Sequence, residues 1–169
     1  FSADPKLADV ARDLGLADAQ VWQSMYIFKQ PGIGGEVRWH QDATYFETTP
    51  ISVTTFWFAL EDATLDNGCL WAEPGGHRGP LRERFIRNGD AVRVEKLDAM
   101  PWPDDSTAVP LEVKAGALVC FHGLLPHYSA PNRSPVSRHA YTLHATDGQT
   151  EYAAHNWIQR DASFPVRGF

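Results

Sequence analysis

Cysteine is scarce: the chain has two in 169 residues, Cys69 and Cys120, each inside an apolar stretch. That excludes a disulfide framework and any C-x-x-C redox or metal motif. Two buried free thiols fit a reducing compartment, so an intracellular, cytoplasmic setting is expected. No apolar run approaches the length of a bilayer span, so no membrane partner is expected. Positive charge is short too, with 15 Lys and Arg against 21 Asp and Glu for a net charge of −6. A protein that tracks nucleic-acid phosphates presents a basic surface, and no nucleic-acid partner is expected here. The chain opens at Phe1 rather than at a methionine, and residues 1–169 are expected to be a single catalytic core lacking an N-terminal part. Repeats and low-complexity segments are absent.

What is present is enough apolar material, 43% of the residues, for one domain with a proper core. Asp4 suits a helix cap and Pro5 the first helical position. Leu7, Val10, Ala11 and Leu14 share a face, and Gly15 offers a left-handed stop. Beyond this flanking helix the punctuation is that of strands. Val21 to Lys29 is β-branched and aromatic and ends at Pro31-Gly32-Ile33-Gly34-Gly35. Ile51 to Ala59 is a second such run, and Asp66-Asn67-Gly68 reads as a hairpin turn into Cys69-Leu70-Trp71. Leu111 to Lys114, Ala117 to Phe121 and Arg138 to His144 follow as further strands. Short strands with Gly and Pro turns predict a β-sandwich or barrel. From His77 to about Pro110 the pattern is polar and proline-rich. We expect a solvated, partly helical excursion there, with a weaker alternative in which Arg78, Arg82, Arg84, Arg87 and Arg93 form an anion-attracting rim over a pocket.

Three clusters carry chemistry. In the extended segment Trp39-His40-Gln41-Asp42, residues 40 and 42 project to one face and can grip one ion, while Gln41 points away. Alone, His-x-Asp is common and is most often a hydrogen-bonded surface pair. Phe121-His122-Gly123-Leu124-Leu125-Pro126-His127 offers a third ligand. A separation of five puts its two histidines on opposite faces of a strand, and Pro126 interrupts the ladder between them. Two His and one carboxylate on one face of an octahedron leave three positions for a chelating cosubstrate and oxygen, the pattern of Fe(II) oxygenases. Arg138, eleven residues after His127, opens the apolar strand Ala140-Tyr141-Thr142-Leu143 and can return alongside that ion, which favours His127. An Arg in a dry pocket needs an anion, which a dicarboxylate cosubstrate supplies through a bidentate fork; the alternative is an internal ion pair.

The stretches Gln23-Ser24-Met25-Tyr26-Ile27-Phe28-Lys29-Gln30-Pro31, Gly34-Gly35-Glu36-Val37 with His40-Gln41-Asp42-Ala43, and Glu61-Asp62-Ala63-Thr64-Leu65-Asp66-Asn67-Gly68-Cys69-Leu70-Trp71 resemble the phytanoyl-CoA dioxygenase (PhyH) family. Pro74-Gly75-Gly76-His77 matches a Pro-Gly-Ser-His signature with one substitution. Ala140-Tyr141-Thr142 and Asn156-Trp157 extend the likeness nearly to the end. The resemblance implies a mainly β double-stranded β-helix (jelly roll, cupin-like). It makes His40, Asp42 and His127 the iron ligands, with Arg138 and Ser129 on the far carboxylate of 2-oxoglutarate, and Met25 and Trp57 as pocket walls. Without it, Met25 and Trp57 read as ordinary core. His77 is expected to be structural and His122 to be a core residue or a support for the ligands.

The implied reaction is hydroxylation of a small organic substrate, an acyl-CoA or related metabolite among the candidates, with Fe(II), 2-oxoglutarate and O2 and release of succinate and CO2. Asp42 fills the position that a halide needs, which argues against halogenation. Lys29, Tyr45, Glu47 and Trp71 are candidate substrate contacts. Two other classes share these ligands: a cupin-like metal-dependent hydrolase or isomerase, which has no use for Arg138, and a non-catalytic sensor of iron and 2-oxoglutarate.

Overall fold

The computed structural model describes residues 1–104 and 106–169. One helix, α1 (Pro5–Asp13), precedes β1 (Ala19–Lys29), β2 (Val37–His40), β3 (Thr48–Thr49), β4 (Thr54–Ala59), β5 (Leu70–Ala72), β6 (Glu83–Asn88), β7 (Ala91–Lys96), β8 (Val109–Leu111), β9 (Leu118–His122), β10 (His127–Ser129), β11 (Arg138–Asp147) and β12 (Glu151–Tyr152). Two antiparallel four-stranded sheets form the body, ordered β1-β11-β4-β9 and β2-β10-β5-β8. This is the mainly β, two-sheet arrangement of a double-stranded β-helix.

Alternation along the strands sets the layers. On β11, Leu143 and Ala145 face outward with Phe56 of β4. The buried Leu7 and Ala11 of α1 cover them. The helix begins where expected, with the Asp4 carboxylate accepting from the Lys6 N–H at 3.0 Å. Leu14 departs from expectation and is exposed. Gly15, at φ +92°, reverses the chain so that Leu16 turns inward in its place. Between the sheets lie Trp57, Ala59, Phe121 and Ala140 from one layer and Leu70 from the other. Burying the larger of these, Leu70 and Phe121, stabilises the sandwich by roughly 1.5–3 kcal/mol each.

Two expectations are corrected. The Asp66-Asn67-Gly68 turn forms, with the Asn67 side chain accepting from the Thr64 N–H and donating to the Asp62 carbonyl, both at 2.8 Å. Yet it joins no hairpin, because β4 and β5 belong to different sheets. Turn chemistry fixes a local reversal, not the strand's partner. The His77–Pro110 stretch is neither unpaired nor helical through its centre. It holds the β6–β7 hairpin, closed by Gly89 at φ +60° between the paired Asn88 and Ala91, and the Asn-Gly signal for it sat among charged residues. Two of the five arginines considered for a cationic rim are engaged within the fold. Arg84 forks onto Glu47 at 2.6 and 2.7 Å, and Arg82 is buried against Glu73 at 2.8 Å with Trp102 beneath its guanidinium.

Candidate metal centre and cosubstrate pocket

His40 closes β2 and His127 opens β10, and the two are direct partners across that ladder. Their rings lie 4.1 Å apart. Asp42 is not in a strand. A 3-10 turn at Asp42–Thr44 follows β2, and it returns the carboxylate to the two imidazoles, with Oδ1 at 3.5 Å from His40 Nε2 and 3.7 Å from His127 Nε2. Gln41 points away, as expected. Its amide donates to the Pro80 and Leu124 carbonyls and its oxygen accepts from the Arg82 N–H, so it holds the turn in place.

The tautomers follow from the backbone. His40 Nδ1 lies 2.7 Å from the Arg38 carbonyl and His127 Nδ1 lies 3.0 Å from the Leu125 carbonyl. A carbonyl only accepts, so each Nδ1 carries a proton and each Nε2 faces inward, offering a lone pair in the neutral form of the ring. At His40 burial disfavours the charged form, but the Asp42 carboxylate outweighs it and raises the pKa, so a cation binding there displaces a proton. Burial pushes the His127 imidazole down to about 4, which keeps that lone pair free at neutral pH. Burial also opposes the Asp42 charge, but the surrounding imidazoles of His127, His144 and His40 outweigh it and hold the carboxyl well below its ordinary range. Two imidazole Nε2 atoms and a carboxylate, within 4.8 Å of one another, converge on a point that a cation suits.

His144 and Thr55 were not singled out in the sequence. Thr55 of β4 donates its hydroxyl to Asp42 Oδ2. His144 of β11 places Nε2 3.6 Å from Oδ1 and stacks on Phe46 at 4.9 Å. Both come from the opposite sheet and fix the carboxylate from behind. Period-two spacing was the available signal: Arg138, Thr142 and His144 share a face of β11, as Thr55 and Trp57 do on β4. His144→Phe keeps the stacked ring and removes the nitrogen. We expect a ~10-fold loss of divalent-metal affinity by calorimetry with the fold intact; unchanged affinity would show that His144 does not support the ligand.

A cavity of about 300 Å³ adjoins the three residues, its walls including Met25, Ile27, Trp57, Leu70, Ser129, Arg138 and Thr142. Met25 is 39% exposed at its mouth, so it is not core, whereas Trp57 is 2% exposed. Arg138 is 1% exposed. Its Nε donates to the Gly68 carbonyl at 3.1 Å, its guanidinium lies over the Trp57 ring, and among the described residues one terminal nitrogen has no partner. Trp57 Nε1, Thr142 Oγ and His144 Nδ1 are likewise buried without partners. These unpartnered atoms all belong to residues lining this cavity, which fits a polar, anionic occupant.

The remaining candidates do not line this cavity. Glu47 is taken by Arg84 and by His155 at 3.0 Å. Trp71 is the ladder partner of Tyr128, one residue out of phase with the inward His127 and Ser129. Tyr45 sits with its ring 6.3 Å from that of His40. Lys29 is buried and bonded to backbone carbonyls rather than aimed into the cavity. His122 accepts from the Leu124 N–H and has His77 beside it at 6.4 Å between ring centres, apart from the metal group.

Compared with known protein families, residues 1–140 match the model of phytanoyl-CoA dioxygenase (PhyH). The chain belongs to this family. It is 50% identical over 161 residues to phytanoyl-CoA dioxygenase 1 of Oryza sativa subsp. japonica, covering 95% of this chain and 57% of that protein. To the phytanoyl-CoA dioxygenase domain-containing protein 1 of Bos taurus it is 45% identical over 164 residues, covering 95% and 56%. Among solved structures, EvdO2 of Micromonospora carbonacea var. aurantiaca, crystallised with 2-oxoglutarate, superposes with a TM-score of 0.67 at 27% identity over 94% of this chain and 67% of that one. The PhyH chain described here thus spans little more than half the length of the curated relatives it matches.

Proposed function

We propose that this chain is the core of an Fe(II)- and 2-oxoglutarate-dependent oxygenase that hydroxylates a small organic molecule. One observation carries the reading: the ligand atoms of His40, Asp42 and His127 converge on the same cavity that holds the buried guanidinium of Arg138, which has no carboxylate partner among the described residues. Iron and 2-oxoglutarate, when bound, supply the oxidising chemistry: O2 delivers one oxygen atom to a substrate C–H bond and the other to succinate as CO2 is lost.

The chain's own groups have separate tasks. His40, Asp42 and His127 hold the ion from one side and leave the other side open. Arg138 forks onto the far carboxylate of 2-oxoglutarate, Ser129 donates to it, and Met25 and Trp57 wall the channel. Ile27, Leu70 and Phe121 keep the chamber apolar and dry, which strengthens each polar contact inside it. Family membership supports a small-molecule substrate, and an acyl-CoA thioester is one candidate. Free Cys69 and Cys120, whose thiols burial pushes up to about 11, fit a reducing intracellular compartment. Among the described residues, no helix is long and apolar enough to cross a membrane.

The test is stoichiometric release of succinate and CO2 when Fe(II), 2-oxoglutarate and O2 are supplied with a metabolite panel. Tight 2-oxoglutarate binding without succinate would instead identify a sensor. Zinc-dependent hydrolysis insensitive to 2-oxoglutarate would identify a cupin-like hydrolase.

A further inference from the structure

Lys29 of β1 and Arg138 of β11 are direct partners in the β1–β11 ladder, and each is 1% exposed. Like charges placed opposite one another across a ladder are destabilising, and burial enlarges the cost. Among the described residues neither cation is paired with a carboxylate. The Lys29 ammonium instead directs its donors to three backbone carbonyls, those of Gly35 at 2.6 Å, Ala130 at 2.5 Å and Ser129 at 3.3 Å. Burial, then the neighbouring guanidinium, brings its pKa down to about 8, with Glu36 opposing.

The fold is shaped around this lysine. A Cβ on Gly34 would lie 2.7 Å from Lys29 Cα, and one on Gly68 would lie 3.2 Å from Lys29 Cδ. Asn132 donates to the Lys29 carbonyl at 2.8 Å, and its own N–H donates to Gly34 at 2.8 Å. Lys29 therefore stands behind the cavity wall, fastening the end of β10 to the loop before β2. It places a positive charge behind Ser129 and beside Arg138. Two buried cations without a carboxylate are a poor choice for stability alone. They become intelligible if the chamber must hold a doubly charged anion.

Resting on the 2-oxoglutarate reading above, we infer that Lys29 is a positioning residue for the cosubstrate: it holds Ser129 and Arg138 in register and supplies a second positive charge that makes the pocket select a dianionic 2-keto acid over a monoanionic one. Lys29 need not touch the ligand. Its contribution is the backbone geometry of residues 129 and 130 and the field at the far carboxylate.

The experiment compares the whole chain with Lys29→Met and Lys29→Gln, loaded with Mn(II), titrating 2-oxoglutarate and 2-oxovalerate by tryptophan fluorescence. 2-Oxovalerate keeps the keto-acid head and lacks the far carboxylate. Both variants are expected to bind 2-oxoglutarate ~10-fold more weakly, to bind 2-oxovalerate within about twofold of the parent chain, and to keep Mn(II) affinity. Lys29→Gln, which retains amide donors, separates loss of charge from loss of the carbonyl contacts. Equal weakening of both keto acids, or of neither, would overturn the inference. So would failure of both variants to fold by circular dichroism, since the lysine would then be holding the fold rather than the ligand. A parent chain that binds no 2-oxoglutarate sinks the oxygenase reading itself, whereas parent binding with unchanged variants sinks only the role of Lys29.

Discussion

Replacing His127 by alanine is expected to lower divalent-metal affinity by about 100-fold or more, whereas His122→Ala should leave it within a few-fold. The asymmetry follows from geometry. His127 faces His40 across β10 and β2 and has its proton fixed on Nδ1 by the Leu125 carbonyl. His122, at the end of β9, uses its Nδ1 to accept from the Leu124 N–H. Isothermal titration with Mn(II) or Fe(II) under argon reads the difference. Metal loss in the His122 variant alone would reverse the assignment.

The second large effect is on the cosubstrate. Arg138→Met should raise the dissociation constant for 2-oxoglutarate by ~100-fold, because a bidentate, charge-assisted contact in a dry cavity is lost. Metal affinity should be untouched. Stability should move the other way: burial already draws the Arg138 pKa down to about 10, and replacing a buried cation that has no carboxylate partner among the described residues by an apolar side chain of similar length should stabilise the ligand-free protein by ~1–3 kcal/mol in denaturant unfolding. A more stable protein that binds 2-oxoglutarate poorly is the expected signature. Lost stability with full affinity would place Arg138 in the fold's framework instead.

The legible parts of the molecule were those where chemistry is local. Asp4 and Pro5 marked the start of the helix, and the β-branched and aromatic run of residues 21–29 and the apolar run within 138–144 marked two long strands of the first sheet. His40, Asp42, His127 and Arg138 stood out because their residue types and order suit one reaction, and the fold brings them to one cavity. Partners across space were harder to read. Nothing in Asp66-Asn67-Gly68 says that the next strand belongs to the other sheet. His127–Ser129 is three residues long and preceded by Pro126, so it carried no strand signal of its own. Lys29, expected at the substrate, has its ammonium turned onto carbonyls from residues 35, 129 and 130, and only the folded chain brings those together. The support for Asp42 was hidden for the same reason, since Thr55 and His144 reach it from strands of the opposite sheet.

The most direct test mixes the protein anaerobically with Fe(II) and 2-oxoglutarate and records the visible spectrum. A keto acid chelated to iron through its carboxylate and carbonyl gives a metal-to-ligand charge-transfer band, and the account predicts that this band grows in with one equivalent of each. A spectrum that stays flat while Fe(II) binds would show that the face opposite His40, Asp42 and His127 does not accept the keto acid, and would contradict the account.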